Sequence, residues 1–210
     1  MREGALSDYP VMEGGLAMFK SNLIKGLLVC SILVLFSFPA NGEESEPAFH
    51  IPPKVVADFI HSVIQADRTL YTTHIVERME KNKIVTAQEY WNQTKSLPLP
   101  AQMLLLSGLQ VKQEGTGLQF RLASLHPIYE KNGPTTDFEK TGLEAVAKDP
   151  SQPYTGIIKR GDKSFFKAIY ADKAVSPSCV NCHNGHVLSS KNNYQLGDVM
   201  GGIVISFPLN

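Results

Sequence analysis

Two cysteines and a histidine stand close together in the last quarter of the chain, in the order Cys179, Cys182 and His183. This Cys-x-x-Cys-His spacing is the attachment signature of c-type haem. Each thiol would form a thioether with one haem vinyl group, and the adjacent histidine would then bind the iron from the proximal side. The motif therefore predicts one covalently attached haem c, with His183 as its proximal iron ligand.

Three other chemistries compete for the same side chains. A zinc site would use Cys179, Cys182, His183 and His186, although zinc sites of two cysteines and two histidines usually place the histidines further along the chain. A thioredoxin-like redox pair needs a βαβ context, which the surrounding sequence does not show. A disulfide between the two cysteines would close a very small loop and add little stability. Haem attachment is the favoured interpretation, and these alternatives stay open at this point.

The amino-terminal region has the character of a secretory signal peptide. Lys20 and Lys25 precede an apolar run over residues 26–38, and small residues follow it up to Gly42. The run is short for a membrane span. We therefore expect residues 1–42 to be removed on export to the periplasm, with no stable membrane span afterwards. A retained amino-terminal anchor is the alternative.

Two details refine this expectation. Met18 is an alternative start, in which case residues 1–17 would not be translated. Cleavage after residue 42 would remove Cys30, so that both remaining cysteines belong to the haem motif. No thiol would then be left for a structural disulfide, although disulfides are common in exported proteins.

Composition limits the classes of partner. The chain has 20 basic and 20 acidic residues, and 43% of its 210 residues are hydrophobic. This hydrophobic fraction is sufficient for a packed core. A balanced charge does not favour binding to nucleic acid or to an anionic membrane surface.

A long helix is predicted over about residues 54–81, far before the haem motif in the chain. It opens after Pro52 and Pro53. In a helical projection at 100° per residue, apolar residues form an arc on one side of this helix. His74 lies near the middle of the arc and His61 lies on the opposite face. The arc consists of Val55, Val56, Phe59, Ile60, Val63, Ile64, Leu70 and Tyr71. We expect this arc to pack against the rest of the domain.

The remaining pattern predicts an α+β domain over residues 52–210, after a flexible lead over residues 43–51. Further helices are expected from Thr86 through Trp91, over 101–112, and from Thr136 to Lys148. Strands are expected over 118–125, 154–159, 164–172 and 201–207, with the haem motif in a loop and another loop over 184–198. The chain ends after the last strand, so we expect no fused output domain.

The order and spacing of several segments resemble a family of single-haem c-type proteins with a PAS-like fold. The shared features are the helix with Arg68 and Tyr71, the segment Asn132-Gly133-Pro134 followed by Asp137-Phe138-Glu139, the haem motif, and residues 197–202 before the last strand. The resemblance implies a twisted antiparallel sheet with a long amino-terminal helix and flanking helices, and a haem held against the sheet.

The sixth iron ligand is less clearly marked. The resemblance implies that some members supply a cysteine from the amino-terminal helix, but the mature chain has no spare cysteine. His74 is the first candidate because the predicted apolar arc would bury it, and His61 is the second. The weaker candidates, each also interpretable as an ordinary core or surface residue, are His126, His186, Met79, Met103 and Met200; His50 is the one other histidine.

Two more residues are candidates for the haem pocket. The Arg68 guanidinium suits a haem propionate, since guanidinium and carboxylate pair in a bidentate manner; an ordinary surface arginine is the alternative. Tyr71 would border the pocket or fill the core. The pair Gly201 and Gly202 would allow close approach of the backbone to the haem, or would mark a strand bulge.

Two functions follow from a haem c in such a domain. The first is a redox or small-ligand sensor that responds to a diatomic gas or to redox state and acts through a redox or signalling protein partner. The second is a periplasmic electron-transfer cytochrome. We do not expect an enzyme, because no convincing distal acid–base pair is present in the sequence.

Overall fold

The computed structural model describes residues 50–209. The predicted signal peptide, Met18 and most of the predicted lead lie outside the described residues. Within this part of the chain, no helix combines the length and the apolar character that crossing a membrane requires.

A long helical stretch opens the described chain and confirms the predicted helix. Helix α1 (Pro53–Leu70) has proline in its first turn, where the missing N–H removes no intrahelical bond. The helix continues through a π-helical turn (Tyr71–Val76) into α2 (Glu77–Lys81). The π-helical turn was not predicted, and such turns are frequent at functional sites.

The remaining elements follow in chain order. The strands are β1 (Ala87–Gln88), β2 (Leu97–Pro98), β3 (Gln119–Ala123), β4 (Tyr154–Arg160), β5 (Lys163–Lys173) and β6 (Val199–Leu209), and the helices are α3 (Pro100–Gln113), α4 (Asp137–Lys148) and α5 (Pro177–Gly185). The predicted helix from Thr86 through Trp91 is wrong: that segment holds β1, a turn and a 3-10 turn at Trp91–Gln93. The Thr86 side chain accepts from Gln88 and caps no helix.

A four-stranded antiparallel sheet lies at the centre, with the strand order β3-β6-β5-β4. β4 and β5 form the predicted hairpin, whose turn contains Gly161 with a φ of 59°. β6, the last strand, lies between β3 and β5; it pairs with β5 along nearly its whole length and with β3 over residues 202–206. The predicted α+β class, with an antiparallel sheet and a long amino-terminal helix, is confirmed.

Side chains alternate between the two faces of this sheet. Both faces carry apolar side chains, and helices cover both of them. On one face α1 and α3 pack through Ala57, Ile64 and Leu104 against Ala168 and Ile203. On the other face α4 packs through Leu143 and Val146 against Ile169 and Val204. The site described next lies at the end of the first layer, where α1 passes into α2.

Candidate functional site

The haem motif lies in helix α5 and not in the predicted loop. Ser176 caps this helix, since its side chain accepts a hydrogen bond from the amide of Ser178, and Pro177 occupies the first helical position. Both are ordinary start signals that precede the motif in the sequence. The helix places Cys179, Cys182 and His183 at positions i, i+3 and i+4, so both thiols and the imidazole share one face. Both thiols are free.

Two hydroxyl groups fasten α5 to α2. Ser176 is fully buried and donates to Glu77 Oε2 over 2.9 Å. Ser178 donates to Glu80 Oε2 over 3.0 Å. The position of the haem motif is therefore fixed by the short helix that follows the π-helical turn.

The loop after α5 holds the motif from the other side. Asn184 Nδ2 donates to the carbonyl of Tyr194, and the Tyr194 amide donates to Asn184 Oδ1, both over 2.9 Å. Tyr194 is buried and meets the His183 ring edge-on, with 5.8 Å between ring centroids. Met200 belongs to the same small cluster, which packs against Cys179. Met200 is therefore a core residue of this cluster.

Only part of the predicted apolar arc of α1 packs against the sheet. Phe59, Val63 and Leu70 of the predicted arc are exposed, and His74 is exposed beside them. The expectation that the arc buries His74 is therefore wrong. The helix packs on the sheet through Ile64, which belongs to the predicted arc, and through Ala57, which lies beside the arc and is small enough to permit close contact.

His61 lies on the face that does pack. Its ring stacks on the Tyr170 ring, with 4.0 Å between centroids and 7° between planes. Tyr170 in turn donates to Asp58 over 2.8 Å. His61 Nε2 is buried and has no hydrogen-bond partner among the described residues. His61 therefore lies on the packed face of the helix and His74 on the exposed face, the reverse of what the helical pattern predicts.

Arg68 lies two helical turns after His61 and forms a buried ion pair with Asp172 of β5. Arg68 Nη2 donates to Asp172 Oδ2 over 2.8 Å, and the side chains are 8% and 6% exposed. Because its side chain is buried against Asp172, Arg68 is not an ordinary surface arginine. Asp172 was not predicted, since its only signal was an acidic residue near the end of a strand.

The same region contains several buried polar atoms that have no hydrogen-bond partner among residues 50–209. They are His61 Nε2, Gln65 Oε1, Arg68 Nε and Nη1, Asp172 Oδ1 and His183 Nδ1. Native structures leave few such atoms, because each costs about 1–3 kcal/mol. A haem fits the nitrogen atoms of this set, since its propionates accept hydrogen bonds from guanidinium groups and its iron binds imidazole nitrogen.

Electrostatics at the site suit a metal-binding imidazole. Burial lowers the pKa of His183, and the positive charge of Arg68 and the neighbouring His186 lower it further. A neutral imidazole is the form that binds a metal. Burial also raises the pKa of the Asp172 carboxyl, although Arg68 opposes this effect.

The other predicted residues occupy ordinary structural positions. The Tyr71 hydroxyl donates to the carbonyl of Pro98 over 2.8 Å, which ties the π-helical turn to β2. His186 lies 3.1 Å from Glu89, and His126 lies 3.1 Å from Ser190. A Cβ atom at Gly202 would lie 2.7 Å from Ile169, so packing within the sheet layer explains this glycine. None of these residues is needed to explain the unpartnered polar atoms.

Comparisons with known proteins give one matching family and one matching solved structure. The family model described as Tll0287-like, Tll0287, matches residues 51–208, which covers α1 through most of β6. A solved structure, the crystal structure of the cyanobacterial heme-protein Tll0287, is 14% identical, with a TM-score of 0.42; the match covers 76% of this chain and 98% of that chain. None of the curated proteins matches the chain.

Proposed function

The chain belongs to the Tll0287-like family, and from that premise we propose that it is a haem protein with one haem c on Cys179 and Cys182. His183 is its proximal iron ligand. The observation that carries the proposal is the single face of α5 that presents both thiols and the imidazole beside buried polar atoms without partners. A structural helix would have no reason to combine these features.

When bound, the haem supplies a one-electron redox couple and, if its sixth position opens, a binding site for a diatomic gas. The chain supplies the rest. Ser176 and Ser178 hold α5 against α2, and Tyr194 supports the edge of the His183 ring. Arg68 pairs with a haem propionate and is held in place by Asp172.

We further propose that the protein is a redox or small-ligand sensor. The support is the route by which α5 connects to the rest of the domain. α5 is bonded to α2, and α2 follows directly on the π-helical turn that ends α1. Small shifts of α5 would therefore be transmitted to α1. For this role the ligand is a diatomic gas, and the partner is a signalling or redox protein. The protein acts in the periplasm after removal of residues 1–42, and catalyses no reaction.

Electron transfer is the second candidate function, and one observation favours it. Cys182 is exposed at the surface of α5. The haem edge beside this thioether would then lie close to solvent, as outer-sphere transfer to a redox partner requires. This arrangement needs a sixth ligand that stays on the iron.

Haem staining after denaturing electrophoresis tests the attachment. The protein is produced in cells that carry a cytochrome c maturation system, as wild type and as the Cys179→Ala, Cys182→Ala double variant. We expect the wild type to keep the stain and the double variant to lose it. A His126→Ala variant is the matched control, and it should keep the stain. Covalent haem in the double variant would show that the proposal is wrong.

Absorption spectra separate the two roles. Spectra of the ferrous wild-type protein are recorded before and after addition of carbon monoxide and of nitric oxide. A sensor of small ligands should shift its Soret band with at least one gas. A six-coordinate spectrum that neither gas changes would favour electron transfer and contradict gas sensing.

A further inference from the structure

A cleft of about 270 Å³ lies away from the haem motif, between α3 and the strands of the central sheet. Four basic side chains line it, from Lys112, Arg121, Arg160 and Lys167, against the single acidic side chain of Glu139. The excess of positive charge is the first sign that this cleft receives an anion. It lies outside the residues to which the proposed haem function assigns a role.

The floor of the cleft shows that this excess is not neutralised from within. Glu139 accepts from Lys167 Nζ over 2.6 Å and from Arg121, and it also accepts from the amide and hydroxyl of Thr135, both over 2.8 Å. One carboxylate thus serves two cations, and Lys167 is only 3% exposed. The exposed Lys112 and Arg160 have no acidic partner among the residues that line the cleft. A second anion, supplied from outside, would complete the cluster.

The lining of the cleft combines apolar and charged side chains. Leu105, Leu109 and Lys112 follow one another at positions i, i+4 and i+7 of α3, on one stripe of the helix. Both leucines are about half exposed. Arg160 stands at the end of β4, with its guanidinium 5.4 Å from the centre of the Phe165 ring. The lining therefore matches a molecule that has one anionic end and an apolar body.

We propose that this cleft binds a small organic carboxylate with an aliphatic tail, such as a medium-chain fatty acid anion. The carboxylate lies between Lys112, Arg160 and the Arg121–Lys167 pair, and the tail lies along Leu105 and Leu109. The Ser206 hydroxyl, which also lines the cleft, is a further donor to the carboxylate. The proposal is independent of the haem.

Calorimetric titration of the purified protein with sodium octanoate tests the proposal. The charge variants are Lys112→Gln and Arg160→Gln, and the matched control is Lys159→Gln. Lys159 precedes Arg160 on the same strand, is also exposed, and points to the opposite face. We expect saturable binding of one octanoate to the wild type, about tenfold weaker binding to either charge variant, and wild-type affinity in the control.

Two further probes separate the carboxylate end from the tail. Inorganic phosphate tests charge alone, and octanol tests the apolar wall alone; both should bind far more weakly than octanoate. A Leu109→Asn variant should weaken octanoate without affecting the haem stain. No saturable octanoate binding, equal losses in Lys159→Gln and Arg160→Gln, or binding of phosphate in preference to octanoate would each overturn the proposal.

Discussion

Burial alone would raise the pKa of Glu139, but hydrogen bonds from Lys167 and Thr135 and the charge of Arg121 hold it at about 2. The ordinary value for this carboxyl is 4.5. Its folded-state pKa is therefore depressed, so the stability that it contributes is fully present above about pH 4.5. That contribution is lost as the pH falls towards 2.

The measurement that checks this is urea unfolding of wild type and Glu139→Gln at several pH values. The pKa difference corresponds to about 3 kcal/mol. We expect the wild type to be more stable than Glu139→Gln by about this amount at pH 6, with the gap closing towards pH 2. Glu144→Gln, an exposed site on the same helix, should follow the wild type. A gap that stays constant with pH would contradict this account of Glu139.

A second prediction at the residue scale concerns the iron. His61 Nε2 is buried and has no hydrogen-bond partner within residues 50–209, and His74 is exposed, so we expect His61 to face the proposed haem. His61→Ala should change the absorption spectrum of the ferric protein, and His74→Ala should leave it unchanged. The two variants serve as controls for each other. A spectrum that changes only in His74→Ala would restore the first sequence-based candidate.

At the scale of elements, the short helix α5 is held by a residue with two roles. Ser176 caps α5 and also donates to Glu77 on α2. Ser176→Ala removes both hydrogen bonds and leaves Glu77 without this partner. We expect the free energy of unfolding to fall by about 1–2 kcal/mol. Chemical denaturation measures it, with Ser62→Ala as an exposed control on α1; equal, small losses in both variants would show that the tie is unimportant.

How far the sequence predicts an element depends on whether its signals are local. α4 was predicted from Thr136, because a cap that accepts from Glu139 acts within one turn. The hairpin between β4 and β5 was predicted for the same reason. The part of the apolar face of α1 that packs was not predicted, since the spacing of Phe59 and Val63 shows an apolar stripe without showing what packs on it. Ala57 reaches the sheet because it is small, and that advantage appears only in the tertiary structure.

The site shows the same division. Cys179, Cys182 and His183 were predicted from their spacing, because covalent attachment constrains residues within one helical turn. Asp172 and Glu77 were missed, since each acts on a partner about a hundred residues away in the chain. Arg68 was predicted through a family resemblance, and its buried partner was not. Pairings of this kind depend on how β5 and α1 meet, which no local pattern encodes.

At the scale of the whole molecule, the buried polar atoms that lack a hydrogen-bond partner within residues 50–209 lie where α1, β5 and α5 meet, and none of them lies between α4 and the sheet. A chain without haem should therefore be weakened locally. In the Cys179→Ala, Cys182→Ala double variant we expect faster amide hydrogen exchange in α5, residues 184–198 and the last turns of α1. α4 should stay protected, because its core against the sheet does not involve the haem. His126→Ala, which keeps the motif, is the control. Faster exchange spread evenly over α4 and α5, or no change in α5, would contradict a haem that completes this end of the domain.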